Sequence, residues 1–107
     1  MSRPLKLQIV EKARALIADE KHWCRRHLAE DGNGISVSPT SASAIKWCAL
    51  GALIATAYQL TNDVDAAHQL GDEVLSPGYR AATLMHVNDT RGHAAVLALF
   101  DEVIAAS

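Results

Sequence analysis

The stretch from Trp47 to Leu60 carries no charged side chain, and it constrains this chain more than any other segment. Apolar residues fall nearly all the way round a helix drawn through it, and a helix that is apolar on every side is a buried one. The run is too short to cross a bilayer, which takes about 20 apolar residues. The pattern predicts the central, most buried helix of a small domain, running from Ala42 to about Leu60 with Ser41 or Ser43 as its cap after Pro39. Cys48, Gly51, Ala52 and Ala55 make a stripe of small residues along it. A glycine inside a helix costs about 1 kcal/mol relative to alanine. Gly51 is easiest to explain if another backbone packs directly on it.

The rest of the chain supplies what such a helix needs around it. Leu5, Ile9, Val10, Ala13, Leu16 and Ile17 recur at helical spacing, with Ser2 as a possible cap, Pro4 in the first turn and an end near Asp19. Asp31-Gly32-Asn33-Gly34 is a strong turn signal, and Ile35 and Val37 alternate with Ser36 and Ser38 as in a short strand. Its partner would be Trp23 to Glu30, although Cys24 and Leu28 also fit one helical face. A third helix, Asp63 to Leu75, is capped by Thr61 or Asn62 and broken by Ser76-Pro77-Gly78. A short fourth covers Tyr79 to about Val87. Asn88-Asp89-Thr90 then breaks the pattern, and Thr90 caps a last helix with Val96, Leu97, Phe100, Val103 and Ile104 inward. The expected fold is mainly α (α+β): a single domain over residues 1–107, built around the central helix with one short β-hairpin.

Composition narrows the function classes. The chain has 107 residues, half of them hydrophobic. A chain of this size buries roughly 65% of the surface its unfolded form exposes, enough to fold without metal or disulfide staples. Net charge is −2, and the only compact basic cluster is Lys21, His22, Arg25, Arg26 and His27. Nucleic-acid binding calls for a broader basic face. Met1-Ser2-Arg3-Pro4 leads into an amphipathic segment with no apolar signal region, so a cytoplasmic protein with reduced cysteines is expected.

Both tryptophans and both cysteines occur as the same dipeptide, Trp23-Cys24 and Trp47-Cys48. Together with the Asp31-Gly32 turn, the string Trp47-Cys48-Ala49-Leu50-Gly51-Ala52-Leu53, the pair Asn88-Asp89 and the closing His93 to Asp101, they resemble a family of short bacterial proteins of unknown function, number 6197. The resemblance covers nearly the whole chain and implies one complete domain without implying an activity. Where that family often has Gln-Gly after its first Trp-Cys, this chain has Arg25-Arg26. A role for backbone flexibility there does not carry over.

Four constellations carry possible chemistry. Cys48 is a candidate nucleophile, with His93 as base and Asn88 or Asp89 orienting it. With Ser41 as the cap, however, Cys48 lies about two turns inside the helix, where the dipole no longer lowers a thiol pKa, and its neighbours are apolar. His22, Cys24, His27 and Cys48 are zinc-type ligands, but their spacing matches no common zinc pattern. Trp23 and Trp47 are expected to pack between hairpin and central helix, each indole N–H finding a partner. Alternatively one ring anchors a binding surface rimmed by Arg25 and Arg26. Asn88 and Asp89 are expected to be turn residues, a buried Asn88 tying the turn to the hairpin backbone. The leading expectation is a small non-enzymatic binding or interaction module with no cofactor and no metal. It would act through a protein partner or as a homo-oligomer, without nucleic acid or membrane. A Cys48–His93 hydrolase or transferase and a Cys/His zinc-binding domain are the alternatives.

Overall fold

The computed structural model describes residues 4–75 and 78–106. Helix α1 (Leu5–Leu16) is followed by a 3-10 turn, Glu20–His22. Three two-residue strands come next: β1 (Ala29–Glu30), β2 (Ser36–Val37) and β3 (Lys46–Trp47). Four helices complete the chain: α2 (Ala49–Thr61), α3 (Val64–Glu73), α4 (Ala81–Arg91) and α5 (His93–Ala105). Ser2, Ser76 and Pro77 lie outside the described residues, and with them the Ser2 cap and part of the expected Ser-Pro-Gly break.

The fold is α-dominant around α2, as the uncharged run predicts. Every residue of α2 from Ala49 to Ala57 is buried. Ile9, Val10 and Ala13 of α1 and Val96, Leu99 and Phe100 of α5 join it in one contiguous apolar core, with Leu84 of α4. Burying a Leu, Ile, Val or Phe side chain contributes about 1.5–3 kcal/mol, so this cluster dominates the favourable side of folding. Two glycines let neighbours reach α2 closely. A Cβ on Gly71 of α3 would lie 2.5 Å from Cγ1 of Ile54. A Cβ on Gly51 would lie 1.8 Å from the Leu28 carbonyl oxygen, so the backbone just before β1 rests on the helix at that position.

The expected hairpin is present at its turn end. β1 pairs antiparallel with β2 in the register Ala29 to Val37 and Glu30 to Ser36, and Asp31 Oδ1 accepts from Asn33 N and Ile35 N across the turn. The sheet is larger than expected. β3 pairs antiparallel on the other side of β1, giving the order β2-β1-β3. Trp23 adds a parallel bridge to Trp47.

The extra strand corrects the start of the central helix. That helix begins at Ala49, not Ala42, and its cap is Cys48, not Ser41 or Ser43. Ser41 instead closes a local turn, with its hydroxyl accepting from Ser43 N and its carbonyl accepting from Ala44 N. Lys46 and Trp47 go to the sheet because β1 offers them a ladder partner. A short apolar run is open to either structure until such a partner is known.

Two further caps and one helix end differ from expectation. Asn62, at φ +54°, ends α2 in the left-handed conformation, and the Asp63 side chain caps α3 through Ala66 N. Asn88-Asp89-Thr90 does not break α4, which runs through to Arg91. Thr90 is spent inside α4, its hydroxyl bonding the His86 carbonyl, and α5 starts from Gly92 at φ +91°. An L side chain rarely adopts that φ, so glycine sets the corner between α4 and α5.

Candidate functional site

Asn88 is the one fully buried amide among the described residues, and its four polar valences are all taken. Its Oδ1 accepts from the Trp23 indole N–H at 2.7 Å and from the Ala49 backbone N–H at 2.9 Å. Its Nδ2 donates to the Cys24 carbonyl at 3.1 Å and to Asp89 Oδ1 at 3.1 Å. Two donors face the oxygen and two acceptors face the nitrogen, so the chemistry fixes which way the amide points. A leucine could satisfy none of these groups and an aspartate only the first two. The tie expected from the sequence is to the hairpin backbone; Asn88 instead bonds the Cys24 carbonyl, ahead of the paired strands, and does so from the last turn of α4 and not from a loop.

The same last turn holds the next residues along. Asp89 Oδ1 also accepts from the Arg26 backbone N–H at 3.0 Å. Arg26 is at φ +69°, a conformation that costs an L residue roughly 1–2 kcal/mol. The Asp89 bond and the Asn88 bond to Cys24 hold the chain in it. Arg25 lies between them with its guanidinium over the Trp23 ring, 5.2 Å from the centroid. The His93 ring sits 5.5 Å from that ring as well. Trp23 is thereby 9% exposed, and a Cβ on Gly92 would meet Arg25 Nη2 at 2.9 Å, the movable end of a long side chain, so the positive φ and not space is what calls for glycine there.

Outside this clamp a cleft of about 520 Å³ opens, lined by Arg25, Arg26, His27 and Lys46, with Glu20 and Glu30. Glu30 faces His27 at 3.9 Å. Among the described residues Arg25, Arg26 and Lys46 meet no carboxylate at ion-pair distance. The basic cluster read from sequence is therefore divided. His22 leaves it, donating from Nδ1 to the Ile45 carbonyl and lining a second groove with Leu16, Ile45 and Trp47. Lys46 joins it through β3, which sequence reasoning missed.

The two tryptophans end in different places. Trp23 is in the clamp. Trp47 is half-buried, donates its indole N–H to the Pro39 carbonyl at 3.2 Å, and lines the apolar groove. Of the candidate binding residues, Trp23, Arg25 and Arg26 come together and Trp47 does not join them.

The thiols are committed to structure. Cys48 is 3% exposed and caps α2, its Sγ accepting from Gly51 N at 3.3 Å while its own N–H bonds the Leu28 carbonyl. Its position at the helix start corrects the expectation of two turns of helix before it. Burial nevertheless outweighs the N–H donors and pushes the Cys48 thiol up from its ordinary pKa. Burial, reinforced by nearby Glu30, pushes Cys24 up to about 12. Both are thiols at neutral pH. The His93 Nε2 faces the Ile17 carbonyl at 2.6 Å, an acceptor only, so that nitrogen carries the proton. No three His, Cys, Asp or Glu side chains gather to hold a metal among the described residues. Cys24 Sγ donates to the His27 carbonyl at 3.5 Å, and His22 faces the other groove.

The fold and site define a small α-dominant domain with a three-stranded sheet, in which a buried asparagine of α4 ties the Trp23-Cys24 segment to the start of α2. The chain belongs to the family of unknown function DUF6197, whose model matches residues 1–106. No curated protein and no solved structure matches it. Among the described residues no helix is long and apolar enough to cross a membrane.

Proposed function

We propose that this chain is a small non-enzymatic binding module of the bacterial cytoplasm, acting through a protein partner at the face formed by Trp23 to His27 and Lys46. One observation carries the reading. The Asn88–Asp89 pair uses its hydrogen-bonding capacity to hold residues 23–26, with Arg26 at a strained positive φ, and the cations of that segment are exposed and meet no carboxylate among the described residues. Strain of this kind persists only where the surroundings over-determine it, and it gathers at ligand clamps. Size-exclusion chromatography with light scattering, alone and with proteins captured on the immobilised chain, tests the reading. A heavier complex that dissociates when Arg25 and Arg26 are both changed to Gln is expected. A strict monomer that forms no such complex counts against it, and a dimer broken by the same change makes the partner a second copy.

Catalysis by Cys48 with His93 draws support from the place of Cys48 at the start of α2, where backbone N–H groups favour a thiolate. The burial of that thiol and the carbonyl facing His93 weigh more. Iodoacetamide at neutral pH separates the two readings: an enzyme requires Cys48 to label faster than a free cysteine, and the binding module requires it to stay unlabelled in the native protein. Elemental analysis of protein purified without chelator applies the same test to zinc.

A further inference from the structure

We infer that the cleft outside the Asn88–Asp89 clamp receives an acidic segment of a protein partner, whose carboxylates pair with Arg25, Arg26 and Lys46; this rests on the binding-module reading above. The three cations converge on one opening from two separate parts of the chain, residues 25–26 and β3. None of them is ion-paired among the described residues, in a chain whose net charge is −2. Arg25 is already ordered. Its guanidinium lies over the Trp23 ring, 5.2 Å from the centroid, and a guanidinium held by an aromatic ring still has N–H donors to offer a carboxylate. Arg26 is ordered at its backbone by Asp89. Ordering side chains before binding removes part of the entropy that binding otherwise loses.

The acidic residues of the cleft decide the class of anion. Glu20 and Glu30 share the lining with the cations. A nucleic-acid backbone presents a row of acceptors and negative charge, which these carboxylates repel. A peptide presents carboxylates and backbone N–H donors together, and a lining of mixed sign suits both. The volume, about 520 Å³, falls in the range that encloses a few side chains.

Fluorescence anisotropy with labelled hepta-glutamate tests the inference, with hepta-glutamine and a seven-nucleotide oligothymidylate as comparison probes. Saturable binding of hepta-glutamate is expected, weakening as salt rises. Arg26→Gly removes the charge but suits the left-handed backbone, so the variant folds, and Lys46→Gln leaves the core untouched. Each is expected to bind hepta-glutamate about tenfold more weakly, as for a lost interface charge pair. Arg14→Gln, on a cation paired with Asp101 at the α1–α5 surface, is expected to leave binding unchanged. Equal binding of hepta-glutamine, tighter binding of the oligothymidylate, or unchanged binding by both cleft variants overturns the inference. If hepta-glutamate fails while light scattering shows the partner complex described above, the acidic ligand falls and the binding module stands. If both fail, both fall.

Discussion

Trp23-Cys24 and Trp47-Cys48 lie side by side, bridged through their tryptophans, with Cys24 N–H donating to the Trp47 carbonyl. Their surroundings differ in kind. Trp23 spends its indole N–H on a buried amide, and its ring is covered by an arginine and faced by a histidine. Trp47 spends its own on the Pro39 carbonyl in a single part-buried bond and leaves its ring along an apolar groove. Cys48 disappears into the start of α2, whereas Cys24 lines the basic cleft. The same two side chains are thus placed in one case by a polar network and in the other by a helix start. A polar network is unforgiving, because each deleted partner strands a buried group. A single part-buried bond is less so, because its loss strands one group and not several.

The largest expected effect comes from removing the network. Asn88→Ala strands the Trp23 and Ala49 N–H groups and the Cys24 carbonyl. At about 1–3 kcal/mol for each unsatisfied group, a loss of about 4 kcal/mol is expected in urea unfolding. A loss below about 1 kcal/mol would mean that water takes the place of Asn88, and the contrast between the two dipeptides would collapse. Gly51→Ala tests the helix-start side. Its methyl group meets the Leu28 carbonyl, which is backbone and cannot swing aside. About 3 kcal/mol of destabilisation is expected, at the upper end for overpacking. A fully stable variant would show that β1 can lift off α2 freely.

The direct comparison is the pair Trp23→Phe and Trp47→Phe, read by the urea midpoint of each. The first leaves a lone pair of Asn88 Oδ1 unsatisfied in the core and should cost about 1–3 kcal/mol. The second breaks one part-buried bond, to the Pro39 carbonyl, with no network behind it and should cost about 1 kcal/mol. Equal losses would erase the distinction. The smallest effect concerns pH. The folded-state pKa of Cys24 is raised from 9.0 to about 12, so the unfolded chain ionises first. Its stabilising contribution is complete below pH 9.0 and is lost as pH rises toward about 12. Cys48 acts in the same direction. Urea midpoints should therefore fall across that alkaline window, and Cys24→Ala should flatten part of the fall.

Much of this was legible in the residues. The charge-free run from Trp47 to Leu60 announces a buried helix, and Gly51 within it announces a close backbone, which is that of Leu28. Asn88 was legible as a tie but not as part of α4. Asparagine and aspartate are poor residues for a helix's last turn, and only their tertiary partners explain them there. Lys46 could not be assigned to the cleft while residues 42–48 read as helix, since β3 depends on a ladder with β1 that local pattern does not reveal. Arg26 gives no local sign of positive φ, because arginine does not favour it. What was missed at the cleft has one physical character: conformations imposed by residues far away in the chain.

The Asn88 clamp also has an order in time. Its oxygen joins Trp23 to a residue 65 positions later in the chain. At about 5–20 residues per second, synthesis leaves the Trp23 indole without its partner for roughly 3–13 s. Through that interval the sheet and the start of α2 can collapse together, but Arg26 has no Asp89 to hold it in its left-handed turn. The arginine face is thus among the last parts of the molecule to be set, and a nascent chain that stops before α4 cannot display it.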